Sequence, residues 1–158
     1  MKNISYDLSI FLLSGQFQQL KIGSNIQNIK MPFYNVTIED GDIPSLYNLE
    51  DENESFQFTT LKNIVIGISY DFQYNTKISY NISIENLKFD LGYKTSFADL
   101  IAFLKLSNLD FEIDKPKEED STEIKLKKSD VLLSFSEYNL IKASVFDWNL
   151  CENIKNTQ

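Results

Sequence analysis

Histidine and arginine are both missing from these 158 residues, so all fifteen positive side chains are lysine. Without histidine the chain lacks the side chain that most often moves protons near neutral pH and most often ligates zinc. Without arginine it lacks the planar fork that grips phosphate or carboxylate at two points. Cys151 is the one cysteine, which rules out an intrachain disulfide and suits a reducing compartment, with the cytoplasm as the expected location. No apolar run approaches the roughly 18 residues that span a bilayer. Asp7 interrupts the first apolar stretch, and Leu8–Leu13 is short for the core of a secretory signal. The glycosylation triplets at Asn3, Asn35 and Asn81 then read as chance in an asparagine-rich chain. Glycine is scarce too: Gly15 and Gly23 form no phosphate loop, and Gly92-Tyr93-Lys94-Thr95-Ser96 lacks the upstream glycine of a P-loop.

What is present is a globular composition, 42% apolar and 13% aromatic, of a length that suits one domain. Lysine, asparagine, isoleucine, phenylalanine and tyrosine are favoured over alanine, glycine, proline and arginine, the bias of an A/T-rich genome. No catalytic group stands out. Cys151 has no histidine to activate it. Asp40-Gly41-Asp42 and Glu50-Asp51-Glu52 are fragments of a calcium loop without its closing glutamate. No spacing specifies the carboxylate pair of a glycosidase. Trp148 reads as core. The expectation is a non-enzyme with no metal and no cofactor.

Hydrophobic spacing organises the chain into two similar parts. Ile4, Leu8, Phe11 and Leu12 follow a helical period, and Gly15 stands where a C-cap would, so a helix is the expectation, with a strand as its competitor because Ile4, Tyr6, Leu8, Ile10 and Leu12 also alternate. Ser24 with Gln27 reads as a capping box for a short helix through Ile26, Ile29 and Lys30, ended by Pro32. Strand alternation follows at Phe56 and Phe58, then along Ile64, Ile66, Ile68, Tyr70 and Phe72, then along Ile78, Tyr80, Ile82 and Ile84. The last two read as one hairpin turning at Tyr74-Asn75-Thr76. In the second part Thr95 or Ser96 caps a helix carrying Phe97, Leu100, Ile101 and Leu104. Strands follow around Ile124–Leu126, Val131–Phe135 and Ile141–Trp148, and the tail from 151 to 158 reads as frayed. The expected fold is α+β: one domain, an antiparallel sheet of about six strands with helices on one face, and an internal duplication with halves 1–90 and 91–150, in which Ser24 matches Ser96.

Charge is distributed unevenly over that frame. Residues 39–54 hold Glu39, Asp40, Asp42, Glu50, Asp51, Glu52 and Glu54 with no lysine, a net charge of −7. Residues 110–123 hold seven acids, among them Asp114, Glu118, Glu119 and Asp120, against two lysines, a net of −5. Everything else is net +4, so these two windows carry the whole excess of −8. Falling alike in the two parts, they are expected to share one rim of the sheet. Such a rim disfavours nucleic acid and anionic membrane and attracts a basic protein surface. Tyr47, inside the first window, is the expected aromatic anchor. The competing reading is a module for a small apolar ligand in a closed pocket lined by tyrosine and phenylalanine.

Leu12-Leu13-Ser14-Gly15-Gln16-Phe17, followed by Leu20-Lys21-Ile22-Gly23-Ser24 and a short helix, resembles the opening of small immunity proteins that bacteria encode beside polymorphic or contact-dependent toxins. Tyr93-Lys94-Thr95-Ser96-Phe97-Ala98-Asp99-Leu100 is similar in style. Met31-Pro32-Phe33 stands where those proteins carry Leu-Gly-x-Pro. The tandem order of helix then strands is similar to the architecture of beta-lactamase inhibitor protein. The resemblance implies a cytoplasmic inhibitor that plugs the active site of a cognate toxin, often a basic nuclease, and it transfers no catalytic residue.

Overall fold

Asp7-Leu8-x-x-Phe11-Leu12 and Asp99-Leu100-x-x-Phe103-Leu104 put the same three apolar side chains on one stripe of a helix. In a computed structural model of the chain, which describes residues 4–50, 56–114 and 121–157, both segments are helical: α1 spans Ile4–Ser14 and α2 spans Phe97–Leu106. Leu8, Phe11 and Leu12 are buried from the first, and Leu100, Phe103 and Leu104 from the second. Gly15 ends α1 with φ near 73°, and its N–H donates to the Phe11 carbonyl at 2.7 Å. Ser96 begins α2, its Oγ accepting from the Asp99 N–H at 3.1 Å.

Four strands of the larger sheet follow each of these two helices. The first set is β1 (Phe33–Thr37), β2 (Ser45–Leu49), β3 (Phe56–Leu61) and β4 (Ile64–Asp71). After a separate hairpin, β5 (Ser79–Ile84) and β6 (Leu87–Gly92), and then α2, come β7 (Phe111–Asp114), β8 (Ser121–Leu126), β9 (Leu132–Ser136) and β10 (Asn139–Phe146). Eight strands form one antiparallel sheet in the order β1-β2-β3-β4-β10-β9-β8-β7. The order is palindromic, and so is the register. Ser69 faces Ser144 at the centre, while Ile68 faces Val145 and Tyr70 faces Ala143. Each central strand follows a two-residue turn, Lys62-Asn63 or Glu137-Tyr138, and each carries at its third position a residue, Ile66 or Ile141, that is skipped in the ladder to its outer neighbour, β3 or β9. A local twofold axis perpendicular to the sheet, through the Ser69–Ser144 pair, therefore relates the two four-stranded halves.

The main core lies on one face. Phe56, Phe58, Val65, Ile68 and Tyr70 of the first half and Ile124, Leu133, Phe135, Leu140 and Ala143 of the second meet α1, α2 and the β5–β6 hairpin there. Phe11 packs edge-on to Phe56, and Phe103 stacks on Phe89 of β6. The other face is covered in part by α3 (Trp148–Asn156), which closes a smaller core of Leu61, Ile66 and Cys151.

The expectation of about six strands with helices on a single face is thus overturned: the described residues form eight strands in one sheet, two in another, and a third helix on the reverse side. Three local causes explain the difference. Pairing of residues 64–72 with 78–84 does not occur, because Glu85-Asn86, with φ of 52° and 66°, makes the tight turn that gives β5 its partner β6. Ile66 leaves the face of Ile68 and Tyr70, because the bulge at Ile66 shifts the alternation and sends it toward α3. The tail expected to fray is helical, because the Asp147 side chain accepts from the Leu150 N–H at 2.9 Å and caps it. Ser24 does not correspond to Ser96. It precedes a single 3-10 turn at Ile26–Asn28 that Asn25 caps.

Candidate functional site

The tip of the β1–β2 hairpin exposes apolar side chains beside acids. Gly41 takes φ near 60° at the first position of a Gly41-Asp42 turn, where a side chain would strain the backbone. Reciprocal hydrogen bonds between Asp40 and Ile43 close it, at 3.1 and 3.0 Å. Beyond the last residue of β1 no core is within reach, so the apolar side chains around the turn stay in water. Ile38 is 81% exposed and Ile43 64% exposed, with Val36 and Tyr34 also exposed along β1. Asp40 and Asp42 stand between the two isoleucines, and among the described residues no lysine pairs with either. Sequence reasoning missed Ile38 and Ile43. The signal was the run Ile38-Glu39-Asp40-Gly41-Asp42-Ile43, a turn too short to fold its apolar flanks back inward.

The other residues of the first acidic window have different roles. Glu39 is half-buried and committed to structure: its N–H donates to Ser45 Oγ, and its Oε1 accepts from the Lys62 N–H, both at 2.7 Å. Lys62 in turn donates from Nζ to the Ile154 and Thr157 carbonyls at the end of α3. Tyr47 is half-buried. Its ring stacks on Phe58 at 5.0 Å and meets Phe33 edge-on at 5.4 Å, within the main core's margin. Glu50 is exposed at the opposite end of β2, its N–H donating to the Pro32 carbonyl. Asp51, Glu52 and Glu54, like Glu118, Glu119 and Asp120, lie outside the described residues.

Asp114, exposed at the end of β7, is six strand positions from β2, on the order of 29 Å along the sheet. A twofold perpendicular to a sheet carries each end of a strand to the opposite end, so equivalent turns of the two halves point away from each other. Asp114 therefore lies at the end of the sheet opposite the Asp40–Asp42 tip and at the same end as Glu50, while residues 51–54 and 115–120 of the two windows lie outside the described residues. Asp114 lines an open cleft of about 760 Å³ with Glu123, Lys125, Lys128, Asp147 and Trp148. Trp148, read from sequence as core, is 69% exposed and lies against Phe146 with ring centres 4.3 Å apart. The cleft's charges are mixed, and Lys125 pairs with Asp130 at 3.6 Å. It is not the closed pocket of tyrosine and phenylalanine that the ligand-binding reading requires. Among the described residues no group of three or more carboxylate or cysteine side chains is arranged to hold a metal ion. No helix of the described residues is long and apolar enough to cross a membrane.

No protein-family model matches this chain, and no curated protein or solved structure is significantly similar to it.

Proposed function

We propose that this chain is a stoichiometric protein inhibitor: an immunity protein that binds a cognate bacterial toxin in the cytoplasm and blocks a basic, nuclease-like active site. One observation carries the reading. Ile38 and Ile43 are held in water by a hydrogen-bonded turn, with the carboxylates of Asp40 and Asp42, which pair with no lysine among the described residues, between them. Apolar anchors ringed by charge are how protein interfaces concentrate their binding energy. Acids without internal partners attract a basic surface and steer its approach. The lack of histidine and arginine and the resemblance to toxin-immunity proteins point the same way. Neither nucleic acid nor an anionic membrane suits a surface of this sign.

The test is co-expression of the chain with the product of the gene that lies directly upstream of its own, whose C-terminal domain the proposal requires to be a toxin. Restored growth and a one-to-one complex on gel filtration are expected, with an association rate that falls steeply as salt rises. A toxin that still kills and elutes alone would contradict the proposal.

A further inference from the structure

The two edges of the large sheet are guarded differently. Edge strands expose unpaired backbone groups, and proteins usually protect them with charged side chains. At β7 the sequence Phe111-Glu112-Ile113-Asp114 does so, with Glu112 held to Lys127 at 3.5 Å. At β1 the sequence Phe33-Tyr34-Asn35-Val36-Thr37 has no charge. Its ladder to β2 fixes which groups are free. The Glu50 N–H donates to the Pro32 carbonyl, so bonded pairs fall at Pro32 and Tyr34, and the N–H and C=O groups of Phe33 and Asn35 point away from β2. Among the described residues no strand lies beyond them.

Resting on the protein-binding reading above, we propose that β1 is a docking edge, which takes an extended segment of the partner protein as a ninth strand. Charge selects the occupant. The uncharged strand is flanked by Asp40 and Asp42 at one end and Glu50 at the other, so it fits a segment with a β-branched centre and lysine or arginine on both sides. A second copy of this chain fits poorly, because each copy brings a net charge of −8 and the same acidic tip. The bulge between Asn35 and Thr37, held by Asn35 Nδ2 donating to the Thr37 and Leu46 carbonyls, limits the pairing to the first residues of the strand.

The experiment uses the full chain labelled with nitrogen-15 and the peptide Lys-Lys-Val-Thr-Val-Thr-Val-Lys-Lys. Comparison peptides carry glutamate in place of lysine, or proline at the central valine. With the lysine peptide at about 1 mM, amide exchange at Phe33 and Asn35 is expected to slow about tenfold, and the two comparison peptides produce no such protection. Val36→Lys, which gives β1 the charge that other edges carry, is expected to abolish the protection, and Ile113→Lys on β7 to leave it intact. Binding without protection at Phe33 and Asn35, equal protection by the glutamate peptide, protection that grows with protein concentration alone, or no binding would each overturn the proposal. Growth rescue by Val36→Lys equal to that of the unchanged chain would separate the two readings, leaving inhibition standing and strand addition refuted.

Discussion

The two halves of the sheet agree at the centre and part company at the edges. Around the Ser69–Ser144 pair, turn, bulge and core side chains match position by position: Val65 with Leu140, Ile66 with Ile141, Phe58 with Leu133. At the margins β7 is acidic, whereas β1 is uncharged and leads to an exposed apolar tip. Packing explains the contrast. A central strand is paired on both sides and packed on the main core face, so its residues answer to the same steric demands in each half. An edge strand answers to few neighbours, and its composition is left to other requirements.

The comparison can be broken most forcefully at the helices. Phe11→Ala is expected to cost about 3–5 kcal/mol in urea unfolding, because its ring is fully buried against Phe56. Phe103→Ala is expected to cost less, since it stacks on Phe89 of the peripheral hairpin, which can close over the gap. Equal losses would mean that the symmetry extends to the helices' energetics. Next comes the bulge. A Cβ at Gly67 would stand 2.6 Å from the Phe146 ring and 2.7 Å from Thr59 Oγ1, so Gly67→Ala is expected to destabilise by about 1–3 kcal/mol. Lys142→Ala, at the matching position, is expected to stay within about 0.5 kcal/mol. Asp147→Ala removes the α3 cap and is expected to cost about 1 kcal/mol, read from unfolding followed by the emission of the lone tryptophan, Trp148. The smallest effect is at the edge itself. Val36→Lys is expected to shift the unfolding midpoint by less than the equivalent of about 0.5 kcal/mol, since the side chain has no core contact to lose.

Much of the core was legible in the sequence, because helical spacing at Leu8, Phe11 and Leu12 and alternation along β3, β8 and β9 are local signals. Strand partners were not. Residues 64–72 could pair with the adjacent strand at 78–84 or with the distant residues 142–146. The choice is made by tight turns at Lys62-Asn63 and Glu85-Asn86, built without glycine, and by burial that no local pattern records. The bulges reversed the parity of Ile64 and Ile66 for the same reason. At the candidate site the acids were visible, but their roles were not. Glu39 is spent on a backbone turn and Tyr47 on the core, while Ile38 and Ile43 passed unnoticed as ordinary apolar residues.

The central claim is that the β1–β2 tip, and not the cleft beside Trp148, carries the binding energy. Titration calorimetry of the toxin domain that the co-expression experiment identifies against Ile38→Ala/Ile43→Ala tests it directly, with Trp148→Ala measured in parallel. The tip variant is expected to raise the Kd about 30-fold, equivalent to about 2 kcal/mol, with an unchanged unfolding midpoint, while Trp148→Ala stays near the unchanged chain. An unaltered Kd in the tip variant, with the loss falling on Trp148→Ala, would contradict it.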